Sequence, residues 1–308
     1  MRTNRFALVL GLIGLLAWTV GAYATNAPDL VPTGKGWGVP VNNHAKGGVP
    51  GPPAGHGGGH KTDNGIYYHG GPLLTSGVHL YYIWYGDWSG NTAPTILTDF
   101  ANNIGGSQYY NINSTYYDGN SVHVSGVVNY AGSATDAYPY GTSLSDNDIL
   151  SIVSDAIGSG ALPSDSNGVY FVLTSADVHE TSGFCSSYCG WHTRGSIGGS
   201  DIKYGFIGNP DQCPSGCEAQ TTSPNGNAGA DGMASIIAHE LEEANTDPDL
   251  NAWYDHRGYE NADKCAWTFG TTYTAGNGAD ANMKLGSRDY LIQENWVNAS
   301  GGYCALSY

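Results

Sequence analysis

Asp231-Gly232-Met233-Ala234-Ser235-Ile236-Ile237-Ala238-His239-Glu240-Leu241-Glu242-Glu243-Ala244-Asn245-Thr246 is the stretch on which the reading of this chain turns. Met233, Ile236, Ile237, Leu241 and Ala244 recur at helical spacing, which predicts a helix with one buried face, capped by Asp231 and ended before Pro248. On it His239 and Glu243 stand four residues apart, so one helical turn aims both at the same point, with Glu240 adjacent. This is the spacing of the H-E-x-x-H zinc helix with a carboxylate in place of the second imidazole, an exchange zinc accepts. With 10 His and 7 Glu in 308 residues, chance supplies about 0.005 such matches, so composition does not explain the motif. The competing reading, a surface helix whose acids favour its dipole, accounts for Glu242 but not for His239 among apolar neighbours. A second His-Glu pair, His179-Glu180, has Gly183 at the ligand position and serves as an internal contrast.

A catalytic zinc needs a third protein ligand and an open position. Asp249 lies ten residues beyond His239, the spacing of a ligand that follows a tight turn. Glu260 and Asp263 come later, just before Cys265, where a downstream element can return to the helix. Spacing alone does not separate the three. Tyr254 and His256 follow the helix where a hydrolytic site places a donor to the transition state, and His192 is a third candidate for that role.

Outward from the helix, composition narrows the classes. The 27 Asp and Glu against 11 Lys and Arg leave a formal charge of −16, and no window clusters basic residues, which argues against nucleic acid and anionic membrane as partners. Met1 to Ala24 has a basic start, an apolar run from Phe6 to Leu16 and the small-x-small pattern Ala22-Tyr23-Ala24, which reads as a secretory signal peptide over 1–24. The apolar run is shorter than the roughly 20 residues of a spanning helix, and no later segment resembles one. From Thr33 to His60, 14 of 28 residues are Gly or Pro, so 25–62 reads as a poorly ordered linker.

From residue 63 onward a single domain is expected. Val78 to Tyr85 and Gly168 to Thr174 read as strands, as do Ser121 to Val128 and Lys203 to Ile207. Helices are expected after Asn91 or Thr92, opened by Pro94, and over Asp148 to Ile157 behind Ser145. The mixed order gives an α+β fold. With the zinc-type helix it is expected to be zincin-like, with a mixed sheet, an active-site helix and disulfide-stapled loops.

Several blocks carry a family resemblance: Tyr68-His69-Gly70-Gly71-Pro72-Leu73-Leu74, Ile83-Trp84-Tyr85-Gly86, Cys185-x-x-x-Cys189-Gly190-x-His192, Cys213-Pro214-x-x-Cys217, Ser223-Pro224-Asn225-Gly226, and His239-Glu240-Leu241-x-Glu243 with Asn251-Ala252-Trp253-Tyr254. Together, and in this order, they resemble the EXORDIUM family, also called phosphate-induced protein 1. The resemblance implies a secreted protein, extracellular or cell-wall-associated, of a family linked in plants to growth and cell expansion. It also favours Glu260 as third ligand, with Asp263 second.

Secretion changes the meaning of the six cysteines. In an oxidising compartment, Cys185, Cys189, Cys213 and Cys217 are expected to pair among themselves and Cys265 with Cys304, rather than to hold a structural metal. The sequence thus leads to a secreted zinc-dependent hydrolase of metallopeptidase type, with one zinc ion on His239, Glu243 and Glu260 or Asp263, and Glu240 as general base. The substrate class is a peptide or a cell-wall component, and the chain is expected to be a monomer. The alternative is a non-enzymatic extracellular or cell-wall binding protein.

Overall fold

The computed structural model describes residues 30–35 and 65–308. The expected signal peptide and all of the linker except residues 30–35 lie outside the described residues. A five-stranded sheet forms the centre: β1 (Val78–Tyr85), β2 (Val128–Asp136), β3 (Gly168–Thr174), β4 (Gly190–Ile197) and β5 (Ser200–Ile207), in the spatial order β2-β1-β3-β5-β4. Three of the four pairings are parallel, and only β4 runs antiparallel, against β5. The expected strand over Ser121 to Val128 is corrected, because β2 begins only at Val128. Asp118 Oδ1 accepts from the backbone N–H of both Asn120 and Val122, and Ser121 sits at φ 62°, so this stretch turns instead of extending.

Helices connect the parallel strands, which makes the sheet α/β in style rather than segregated: α1 (Ala93–Ile104) lies between β1 and β2, and α2 (Asp146–Gly158) between β2 and β3. Ser145 caps α2 in a full capping box with Asp148, as the sequence pattern anticipates. The β4–β5 hairpin closes through Gly198 and Gly199 at φ 59° and 84°, a conformation that side chains resist. Buried β-branched and aromatic side chains fill the central strands, with β3 buried along its whole length.

The motif-bearing helix is α3 (Ala228–Thr246). Its cap is Asn227, whose side chain accepts from Ala230 N–H, and not Asp231, which lies in the first turn and holds Asn225 instead. A side chain at Gly190 of β4 would strike Ile236 of α3, and one at Gly195 would strike Leu150 of α2. Residues 190 and 195 are an odd number apart on one strand, so α3 and α2 cover opposite faces of the sheet. The helix is buried on every side, including its polar residues, so the surface-helix reading of Glu242 fails: that side chain is fully buried and held by Asn295.

The six cysteines form Cys185–Cys213, Cys189–Cys217 and Cys265–Cys304, in agreement with the expected grouping. The first two tie the approach to β4 to the segment before α3, and the third ties the segment after α3 to the C-terminal end. Among the described residues, no helix is long and apolar enough to cross a membrane.

Candidate metal centre

Three elements converge on one buried point. Helix α3 brings His239, Glu240 and Glu243, strand β4 brings His192, and the loop after the helix brings Glu260 and Asp263. Gly190 and His192 alternate onto the face of β4 that meets α3, and the missing side chain at Gly190 leaves room for Ile236 and Glu240. The loop is fixed at both ends. Asn261 Nδ2 reaches the Glu242 carbonyl at 3.3 Å, while Cys265, two residues beyond Asp263, is pinned by its disulfide.

The distances define two overlapping groups. His239 Nε2 lies 3.0 Å from Glu243 Oε1 and 3.4 Å from Asp263 Oδ1. His192 Nε2 lies 3.2 Å from Glu260 and 3.5 Å from Glu243 Oε2. In each of the sets His239–Glu243–Asp263 and His192–Glu240–Glu243, one ligand atom per residue falls within 4.8 Å of the others. Glu243 belongs to both, offering one carboxylate oxygen to each side. The Asp263 N–H also donates to Glu243 Oε1, and the Glu260 N–H to Asp263 Oδ2, so the carboxylates are oriented by the loop's own backbone.

Four buried carboxylates share this space with two imidazoles. Burial and the neighbouring acids hold the Glu240 and Glu260 carboxyls well above the usual range, with His239 partly opposing the shift at Glu240. Glu243 is pushed up to about 7, by burial first and Asp263 second, against the pull of His239. Burial drives His192 down to about 3, which keeps it neutral and able to act as a ligand or acceptor. For His239 the desolvation that would lower it is outweighed by Glu243 and Asp263, and it rises well above its ordinary value.

Two further features fit a divalent cation. Glu240 Oε2, Glu243 Oε2 and His192 Nδ1 are buried without a hydrogen-bond partner, where such groups are ordinarily satisfied. The donor set, imidazole nitrogen with carboxylate oxygen, is the one zinc and related ions take. A cleft reaches His239 and Glu240, lined also by Gly190, the Cys189–Cys217 pair, Trp267, Phe269 and Leu291.

The other expected residues have partners of their own. Asp249 leaves the group, its Oδ1 lying 2.6 Å from Lys203 Nζ on β5. The Tyr254 ring stacks on His69 with centroids 3.6 Å apart. His256 is exposed, while its carbonyl accepts from the Leu30 N–H. From the sequence His192 is a candidate donor to a transition state or a His hydrogen-bonded within a disulfide loop, and the structure sets it against Glu260. The signal was the alternation Gly190-x-His192, which a strand reading of Gly190 to Ile197 would have turned toward the helix.

A family model described as the phosphate-induced protein 1 conserved region matches residues 66–287. Protein EXORDIUM-like 3 of Arabidopsis thaliana is 33% identical, the match covering 78% of this chain and 82% of the relative. Protein EXORDIUM-like 5 of the same plant is also 33% identical, with 75% of each chain covered. Protein PHOSPHATE-INDUCED 1 of Nicotiana tabacum is 26% identical over 61% of this chain and 67% of its own length.

Proposed function

The chain belongs to the EXORDIUM, or phosphate-induced protein 1, family, and from that premise we propose that it is a secreted metal-dependent hydrolase of metallopeptidase type. One observation carries the reading: His239 and Glu243, one turn apart on α3, meet Asp263 within ligand distance while Glu240 beside them keeps a carboxylate oxygen unpartnered at a cleft. His239, Glu243 and Asp263 would hold the cation, zinc by donor chemistry, and Glu260 would orient His192 against Glu243. A divalent ion there would supply Lewis acidity toward a scissile carbonyl and acidify a nearby water, less strongly than on imidazoles alone, because carboxylate ligands donate more charge.

The chain's own residues do the rest. Glu240 accepts the proton of the attacking water on its unpartnered oxygen and returns it to the leaving nitrogen, a role for which a raised carboxyl pKa suits an operating pH near neutral. Trp267, Phe269 and Leu291 keep the approach apolar. The zincin-like reading of the fold is part of the same proposal. It is supported by α3 packing against β5 and the antiparallel edge strand β4, which brings His192 over the helix. Three disulfides suit an extracellular setting.

The test is metal analysis of the purified protein together with Glu240→Gln. About one equivalent of a divalent metal, a melting temperature lowered by EDTA, and peptide hydrolysis lost in the variant with metal retained are the expected results. If no metal co-purifies and EDTA leaves melting unchanged, the reading fails. Retention on insoluble polysaccharide that survives both EDTA and Glu240→Gln, without hydrolysis, would place the chain among binding proteins instead.

A further inference from the structure

Of residues 30–35, expected to be part of a poorly ordered linker, Leu30 bonds to His256 and Gly34 meets the edge of the sheet. Gly34 carbonyl accepts from the His192 N–H at 3.1 Å, on the open side of β4. Gly34 sits at φ 67°, and a Cβ there would lie 1.8 Å from the His192 carbonyl oxygen, so the contact admits glycine alone. Next in sequence, Lys35 reaches into a pocket. Its Nζ lies 2.5 Å from Asp146 Oδ2 and 2.6 Å from Ser182 Oγ, and over the rings of Tyr188 and Trp191 at 5.2 and 5.3 Å. Behind these groups, Tyr188 and the Ser182 N–H hold the buried Glu180, so the pocket wall is anionic as well as aromatic.

A free peptide whose glycine adopts the left-handed conformation ahead of a lysine can make the same contacts: one backbone bond to a sheet edge and one cation in an anionic, aromatic pocket. Leu30 and Val31 are exposed while Pro32 and Gly34 are buried, and the surrounding sequence has no apolar period, so no large apolar side chain of the segment joins the core. Along the strand, backbone groups two residues apart face the same side, so the edge that holds Gly34 at His192 continues to Gly190, which lines the cleft at His239 and Glu240. We propose that the open edge of β4 and the Asp146–Ser182–Tyr188–Trp191 pocket form a binding site for a peptide carrying a Gly-Lys pair, which Gly34 and Lys35 occupy in cis.

The proposal names the substrate class for the hydrolase reading, but the binding step needs no metal and is tested in EDTA, so either reading can fail without the other. A Pro-Thr-Gly-Lys amide carrying fluorescein on its N-terminus is titrated against the full chain and against the double variant Gly34→Val/Lys35→Ala, with anisotropy as readout. A tethered segment competes at an effective concentration on the order of millimolar, so releasing it should tighten binding of the free peptide by about tenfold or more. Asp146→Lys added to that background should weaken the peptide by about tenfold, and a peptide with Glu for Lys should not bind. Equal binding by the full chain and the double variant, no binding by either, or indifference to Asp146→Lys overturns the proposal. Hydrogen exchange supplies the second readout: the His192 amide should lose protection in the double variant while the rest of β4 and β5 keep theirs. Loss of protection across both strands would make the segment a structural part of the domain, and the site would not stand.

Discussion

Two His-Glu dipeptides occur in this chain, and their surroundings differ. His179-Glu180 sits on a short strand, where neighbours point to opposite faces: His179 is exposed and Glu180 fully buried. Every demand of Glu180 is met nearby, Oε1 by the Ser182 N–H at 2.9 Å and Oε2 by the Tyr188 hydroxyl at 2.5 Å. His239-Glu240 sits on a buried helix, where the fourth residue onward returns to the same face and adds Glu243 to the group. There Glu240 is left with an unpartnered oxygen among three other buried acids. A buried carboxylate satisfied by its own fold has a structural explanation, whereas one left unsatisfied beside a cleft is a candidate for binding.

That contrast can be broken most sharply by exchanging acid for amide at each glutamate. Glu240→Gln should lower peptide hydrolysis by about 10²- to 10⁴-fold with a melting temperature near that of the parent, measured by initial rates and calorimetry. Glu180→Gln should reverse the pattern, leaving kcat within about twofold while lowering stability by about 1–3 kcal/mol in denaturant titration. A Glu180 variant that loses the rate and keeps its stability would erase the distinction between the two sites.

Next in size is the anchor of the acidic loop. Replacing Cys265 and Cys304 together by Ser should lower stability by about 2–4 kcal/mol, and should weaken metal retention because Asp263 and Glu260 lie just before the lost bridge. Retention at parental strength would mean that the loop is held by Asn261 and the backbone alone.

The smallest effect concerns Asp247, at the end of α3. Its Oδ1 accepts from the N–H of Asn251 and Ala252, yet burial pushes its carboxyl up from 3.8 to about 7. The folded chain therefore keeps a proton that the unfolded chain has released, so this group's contribution to stability is full below pH 4 and is lost as pH rises to about 7. Asp247→Asn should raise stability by about 1–3 kcal/mol at pH 8 and leave it nearly unchanged at pH 4, read from melting curves at both values.

The long-range part of the site was the part least visible in the chain. Local rules located β1, β3 and α2 closely, because Val78 to Tyr85 and Gly168 to Thr174 are dense in β-branched and aromatic residues and Ser145 with Asp148 forms a capping box. The i,i+4 relation of His239 and Glu243 was equally legible, since helix geometry alone fixes it. What remained hidden depends on tertiary placement. The choice among Asp249, Glu260 and Asp263 is made by where a loop folds back, and Asp249 is claimed by Lys203 on a strand 46 residues earlier. The start of α3 was misjudged because Asn227 lies outside the apolar period and only its side-chain bond to Ala230 marks it as the cap. The docking of Gly34 was hidden for a similar reason: one glycine in a glycine-rich run carries no local mark of the strand edge it meets.

Cys189 and Cys217 do more than staple two segments, since both line the cleft that reaches His239 and Glu240. That wall closes by loss of electrons to an oxidant, which a reducing cytosol opposes and an export route supplies. The redox state of the surroundings is thus a component of the cleft, and a chain retained inside the cell would lack the bond that holds one side of it in place.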